Sequence, residues 1–279
     1  MRVLVTGATG QLGWDVVKEL KKRNIECCGT GSKELDITDR GAVMRFIKDY
    51  HPDAVIHCAA YTAVDKAEDE PEKCRNVNVN GTAYIAEACK TVEAKMVYIS
   101  TDYVFGDDGN KPHEVDDPVH PLNVYGQTKW EGEEVVRHTL QKYFIVRISW
   151  VFGEHGNNFV KTMLRLGKMH KEITVVADQF GAPTYTADVA PLLCDMIETD
   201  KYGTYHACNS GCCSWAEFAE EVFKDAHMDV KVIPIRTEEY PTKARRPKNS
   251  RMVIKMPRQR KGLPVDWKTA IQCYVANIK

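Results

Sequence analysis

The sequence predicts an α/β fold built on a doubly wound parallel sheet. Three observations carry this: short, nearly continuous apolar runs, amphipathic segments between them, and a cluster of glycines directly after the first run. Residues 2–6, 25–29, 54–58, 95–100 and 143–150 are the runs, and unbroken apolar character suits strands covered by helices on both faces. Between them, segments such as the one carrying Val43, Phe46, Ile47 and Tyr50 place apolar residues at i, i+3, i+4 and i+7, one stripe of a helix. Repeated β-α alternation of this kind closes into a parallel sheet. After about residue 150 the rhythm loosens. Helices are expected over 157–168, 187–198 and 215–226, and strands over 173–177 and 204–207. Ser214 and Glu217 stand at capping-box spacing ahead of the helix at 215.

The 279 residues are 43% hydrophobic and 28% charged, an ordinary globular balance that excludes disorder, collagen and a disulfide scaffold. A chain of this length buries enough surface to need no covalent staples. Lys+Arg 38 against Asp+Glu 39 argues against a dedicated nucleic-acid or membrane-surface binder. There is no run of about 18 apolar residues to cross a bilayer and no signal-peptide core at the N-terminus, so a cytoplasmic protein is expected. The ten cysteines contain no C-x-x-C, and His206, Cys208, Cys212 and Cys213 fit no common zinc spacing; buried thiols in a reducing compartment are expected. Charge is uneven along the chain. Residues 241–265 hold nine basic side chains and no acid, leaving the rest of the chain acidic.

Gly7, Gly10 and Gly13 lie in Thr6-Gly7-Ala8-Thr9-Gly10-Gln11-Leu12-Gly13, after the first strand and at the head of the amphipathic segment 12–22. Such glycines permit a tight turn, let backbone N–H groups approach a pyrophosphate, and bring helix close to strand. A bare glycine triplet is weak evidence; strand before and helix after make it a Rossmann-type dinucleotide fingerprint. An acid at the end of the second strand would clamp the ribose 2′-hydroxyl of NAD. Here the strand runs into Thr30, Gly31, Ser32 and Lys33 with no acid before Glu34. Nothing there repels a 2′-phosphate, and Ser32 or Lys33 is placed to bind one, unless Lys33 is simply solvated. NADPH is therefore expected to serve at least as well as NADH.

Among the twelve tyrosines only Tyr125 has a lysine four residues later, Lys129. An i, i+4 pair shares a helix face, and a nearby ammonium favours the ionised phenol, so Tyr125 is expected to be acidified by Lys129. Y-x-x-x-K alone recurs by chance. Its context is Ser100-Thr101-Asp102-Tyr103-Val104-Phe105, which ends the fourth strand at the edge where ligands of such sheets bind. The Thr101 hydroxyl can hold a carbonyl oxygen beside the phenol, or it can bond the backbone of its own turn.

With these pieces in this order, the chain resembles the extended short-chain dehydrogenase/reductases. The blocks 59–68, 100–105, 121–126, 147–152, 156–159, 178–184 and 246–250 narrow the resemblance to the dTDP-4-dehydrorhamnose reductase family, over nearly the whole chain. The resemblance implies reduction of the 4-keto group of a deoxythymidine-diphosphate sugar with NADPH or NADH. It implies a dinucleotide-binding unit over 1–152 with about 187–208, and a substrate-binding unit over about 153–186 and 209–279. Gly7, Gly10, Gln11, Leu12 and Gly13 would hold the pyrophosphate, and Thr30 and Ser32 the ribose end. Asp36 and Ile37 would meet the adenine, and Ala59, Ala60, Tyr61 and Thr62 the nicotinamide half. Lys129 would bind the ribose and tune the phenol. Val64, Thr101, Asp102, Tyr103, Tyr125, Trp150 and Asn158 would meet the substrate. Tyr125 would donate the proton, with Thr101 and Lys129 completing the catalytic set.

The basic segment 243–261 then supplies arginines for the substrate diphosphate, Arg246 or Arg245 first, with Lys161 and Arg165 weaker candidates; a solvated basic tail is the plain alternative. Some members hold Mg²⁺ between two subunits. Asp15 matches one such position, but its partners are not identifiable, so metal and homodimer stay open. Two other functions also remain: a non-catalytic dinucleotide-binding regulatory subunit, like the β-subunit of methionine adenosyltransferase, and a reductase or epimerase of another nucleotide sugar.

Overall fold

The computed structural model describes residues 1–107, 109–256 and 265–278. The chain runs through β1 (Arg2–Thr6), α1 (Gln11–Lys22), β2 (Glu26–Thr30), α2 (Arg40–Tyr50), β3 (Ala54–His57), the short α3 (Val64–Asp69) and α4 (Pro71–Arg75), α5 (Thr82–Thr91), β4 (Lys95–Thr101), α6 (Val124–Thr139) and β5 (Tyr143–Ile148). There follow β6 (Val151–Phe152), α7 (Phe159–Gly167), β7 (Glu172–Val176), β8 (Phe180–Gly181), β9 (Thr184–Tyr185), α8 (Thr186–Ile197), β10 (Gly203–His206), β11 (Cys213–Ser214), α9 (Trp215–Asp225), β12 (Lys231–Ile235) and α10 (Trp267–Asn277).

Six strands form one parallel sheet in the order β10-β5-β4-β3-β1-β2. The expected doubly wound α/β fold is therefore present. Because β2 and β3 flank β1, the winding reverses there, and the carboxyl edge above β1 and β3 is the crevice such sheets offer to ligands. Alternation along β1 sends Val3 and Val5 to one face and Leu4 to the other. Val3 and Val5 pack with Val16 and Leu20 of α1 and Val189 and Leu193 of α8. Leu4 joins Val43, Ile47, Ile85 and Val136 from α2, α5 and α6. A third core gathers Phe152, Val160, Phe218, Val222, Ile271 and Tyr274 beyond the sheet, from β6, α7, α9 and α10.

Most expected elements lie within a residue or two of their observed limits. Ser214 accepts from the Glu217 amide and Glu217 returns the bond to Ser214 N–H, closing the capping box of α9. The run 143–150 is cut short: β5 ends at Ile148, and Trp150 sits at φ 44°. A left-handed φ is costly for a bulky residue, and an extended strand cannot continue through it. All ten cysteines are free.

Candidate active site

The carboxyl edge of the sheet opens into a cavity of about 730 Å³ that reaches from the glycine loop to the third core. Gly7 turns the chain at φ 68°, and a Cβ there would lie 2.6 Å from Ala59 N. A Cβ on Gly13 would stand 2.3 Å from Gly7 O, so only glycine lets α1 meet its own entry loop. Gly10 is extended and no side chain caps α1, which leaves the first N–H groups of α1 open to the cavity. That is an anion cradle. Gln11, Leu12, Ser32, Asp36, Ile37, Ala59, Ala60 and Thr62 continue this wall. The donor set and the enforced absence of Cβ atoms fit a dinucleotide.

Two expected cofactor residues stand elsewhere. Thr30 is buried at 2% exposure, with its hydroxyl unpartnered but outside the cavity lining. Tyr61 points its phenol to Glu70, while its backbone is tied to Asn78. The first acid after the second strand, Glu34, is exposed and lies off the cavity lining. Glu34 folds back so that its carboxylate accepts from Gly31 N–H at 2.8 Å, beside Ser32, and Lys33 is likewise exposed and off the lining.

The opposite wall carries the chemistry. Asn123 caps α6 by accepting from Gly126 N–H, and its amide donates to Arg245 O. This fixes Tyr125 in the first turn and Lys129 one turn on. Tyr103 packs edge-on against Tyr125, with ring centroids 6.0 Å apart. The Thr101 hydroxyl accepts from Tyr103 N–H (3.2 Å), donates to Asp102 Oδ1 (3.0 Å) and faces the Tyr125 hydroxyl closely enough to favour its ionised form, without closing a well-formed bond to it. Thr101 thus bonds the backbone of its own turn, as its sequence context allows.

Electrostatics correct one expectation. The Tyr125 phenol is not acidified: its enclosed position pushes its pKa up, against the Thr101 hydroxyl that favours the ionised form, and nearby Asp102 adds to the rise. Lys129 bears the counter-effect. Burial lowers its ammonium to about 7, although the Glu133 carboxylate opposes this. Its Nζ lies 4.1 Å from the Tyr98 ring centre. Neighbouring His57, bonded to Thr6 Oγ1 and near Thr82 Oγ1, is held neutral by burial and by that same lysine, with its pKa at about 3.

Trp150 lines the far end, stacked on Trp215 at 3.6 Å, with its indole against Gly181. Trp215 was not foreseen; a residue at the first position of α9 carries no local signal of its meeting with Trp150. Val64 lines the cavity, and so does Asn158, although the Asn158 amide caps α7 and reaches Gln11 Oε1. Arg246 is committed elsewhere. Its guanidinium forks onto Asp65 (3.0 and 2.6 Å), donates to Ala244 O and lies beside the Tyr103 phenol, so it braces the wall without lining it. Arg245 pairs with Asp107, and Lys161 bonds carbonyls of Glu154 and Gly156. Arg258, Arg260 and Lys261 of the basic segment lie outside the described residues. Asp15 is turned inward, where it accepts from Thr186, and among the described residues no group of three His, Cys, Asp or Glu is placed to hold a metal.

Relatives match the chain along its full length. The family model of the RmlD substrate binding domain matches residues 1–279. The chain belongs to that family. A dTDP-4-dehydrorhamnose reductase of Aggregatibacter actinomycetemcomitans is 41% identical, with 97% of each chain covered. Among solved structures, a dTDP-4-dehydrorhamnose reductase from Clostridium acetobutylicum superposes at TM-score 0.96 with 44% identity, covering 100% of this chain and 99% of that one. Another, from Bacillus anthracis in complex with NADP, superposes at 0.94 with 42% identity over 99% of both chains. Members of the RmlD family thus share the whole chain, third core included. No described helix is long and apolar enough to cross a membrane.

Proposed function

We infer that this protein reduces the 4-keto group of dTDP-4-dehydro-6-deoxy-L-mannose (dTDP-4-dehydrorhamnose) to dTDP-L-rhamnose, using NADPH or NADH. The observation that carries the reading is the convergence of Thr101, Tyr125 and Lys129 on one wall of a cavity whose other wall is the glycine loop. The nicotinamide cofactor supplies a hydride when bound. Tyr125 donates a proton to the carbonyl oxygen, Thr101 orients that oxygen, and Lys129 stabilises the phenolate left behind. Charge developing in an enclosed site is stabilised more strongly there than in water.

The sheet with α1 and α8 forms the dinucleotide unit in this reading, and the third core forms the substrate unit. Trp150 and Trp215 offer an apolar surface to the base or sugar. The protein works on a nucleotide sugar destined for polysaccharide, in the cytoplasm. The test is cofactor oxidation on addition of dTDP-4-keto-6-deoxy-hexose, with the stereochemistry of the product determined. Oxidation with formation of the rhamno configuration supports the reading, and no oxidation with either cofactor overturns it.

A further inference from the structure

Asp102 has a feature that substrate binding alone does not require. Its side chain is buried at 2% exposure in the cavity wall, and Oδ2 has no hydrogen-bond partner. An orphaned oxygen in such a place costs more on a carboxylate than on an uncharged carboxylic acid. The other oxygen, Oδ1, meets the Thr101 hydroxyl at 3.0 Å, and Thr101 faces the Tyr125 hydroxyl on the same cavity wall. Tyr103 N–H occupies one lone pair of Thr101 Oγ1. The hydroxyl is left with one proton to give and one lone pair to receive another, the requirement for passing a proton along.

From this arrangement, and resting on the reductase reading above, we propose that Asp102 is the proton reservoir for Tyr125, acting through the Thr101 hydroxyl. When the substrate oxygen takes the Tyr125 proton, the O–H bond of Tyr125 breaks and that of the new alcohol forms. Thr101 turns its O–H from Asp102 Oδ1 to the phenolate, gives up that proton and receives the acid proton carried on Oδ1, so that Asp102 becomes a carboxylate. Water entering after product release returns a proton to Asp102, so the cycle takes one proton from solvent for each hydride consumed. The uncharged Tyr125 and charged Asp102 form one end state; charged Tyr125 with neutral Asp102 forms the other. Burial, which lifts Asp102 to about 7 and Tyr125 higher still, disfavours placing both charges together.

The groups facing Asp102 are few. Ser250 faces it from the C-terminal segment and favours its charged form without closing a well-formed bond to Oδ2. Tyr103, Tyr125 and Cys208 lie within electrostatic reach, and Arg246 acts at one remove, on Tyr103. Lys129, also near 7, titrates in the same range on the same wall and has to be separated by the experiment.

The test is the pH profile of kcat for keto-sugar reduction by the wild type, Asp102→Asn, Thr101→Val and Thr101→Ser, each with the cofactor saturating. In the wild type, Asp102 and Lys129 each lose a proton on the alkaline side, Lys129 at the higher pH because the bound cofactor is anionic, so log kcat falls first with the slope of one proton and then with the slope of two. Asp102→Asn keeps an acceptor for Thr101 but no acid. Its kcat is expected to drop roughly 10–100-fold, within the range of general-acid contributions, with an alkaline limb of one proton. Thr101→Val cuts the chain and gives the same single-proton limb, while Thr101→Ser retains two. Solvent isotope mixtures give a curved dependence of kcat in the wild type and a straight one in Asp102→Asn. A merely substrate-binding Asp102 raises KM and leaves both the two-proton limb and the curvature in place, and that result overturns the relay. A wild type inactive with either cofactor sinks the reductase reading and the relay together; an active wild type with unchanged limbs in the variants sinks the relay alone.

Discussion

Glu133 gives the sharpest link between packing and chemistry. It lies one turn beyond Lys129 on α6 and is fully buried. Ser100 Oγ donates to it at 2.6 Å, Arg147 Nε and Nη2 at 2.8 Å each, and Arg137 Nη2 at 2.7 Å. The network ties α6, which carries Tyr125 and Lys129, to β4 and β5. Desolvation would raise the Glu133 carboxyl, but Arg147 and Ser100 outweigh it and hold the pKa below the ordinary glutamate value. Its stabilising share is therefore present above the unfolded pKa and lost as pH falls through the lower folded one.

Glu133→Gln leaves the Arg147 guanidinium, 3% exposed, without an anion. Breaking a buried pair in this way costs about 3–5 kcal/mol. The carbonyl of Val115 and the new amide oxygen still accept from Arg147, so we expect the low end, about 3 kcal/mol, read in urea as a midpoint lower by about 1 M or more. A second readout follows from the same charge. The Glu133 carboxylate holds the Lys129 pKa up, so its removal shifts the alkaline limb of kcat to lower pH in the folded variant. A urea midpoint within about 0.3 M of wild type, or a limb that stays in place, would refute this description of the network.

Other expectations follow from single contacts. Gly181→Ala places a Cβ 2.4 Å from the Trp150 indole; KM for the sugar nucleotide should rise about 10–100-fold, while cofactor affinity by fluorescence titration stays unchanged. Glu34→Gln removes the carboxylate bonded to Gly31 N–H; the kcat/KM ratio of NADPH to NADH should rise about three- to tenfold, as loss of a near anion in a wet site implies. Binding of an anionic cofactor raises the Lys129 pKa from about 7. Calorimetry in buffers of different ionisation enthalpy should accordingly register proton uptake above pH 7, with affinity falling as pH rises.

The fold was legible because its signals are local. Unbroken apolar runs, 3.6-residue stripes and the glycines at 7, 10 and 13 each report on their own neighbourhood, and the sheet follows from their order. The site was legible where a residue acts from its own element, as with Thr101, Tyr125 and Lys129. It was not legible where partners meet from afar. Arg246 reads as a free cation until Asp65, far back in the chain, is found in its fork. Trp215 gains a role only through Trp150, and Glu34 only through a turn that returns it to Gly31. The Tyr125–Lys129 spacing pointed to an acidified phenol, but burial is set by the whole wall and outweighs a single neighbour.

The account rests on the Tyr125 hydroxyl as the group that protonates the carbonyl oxygen, and Tyr125→Phe tests this most directly. The ring and its edge contact with Tyr103 remain, and only the hydroxyl is lost. Cofactor affinity and unfolding midpoint should match the wild type, while kcat for keto-sugar reduction falls about 10²–10⁴-fold, the usual cost of removing a general acid. A variant that turns over at near wild-type rate would contradict the account.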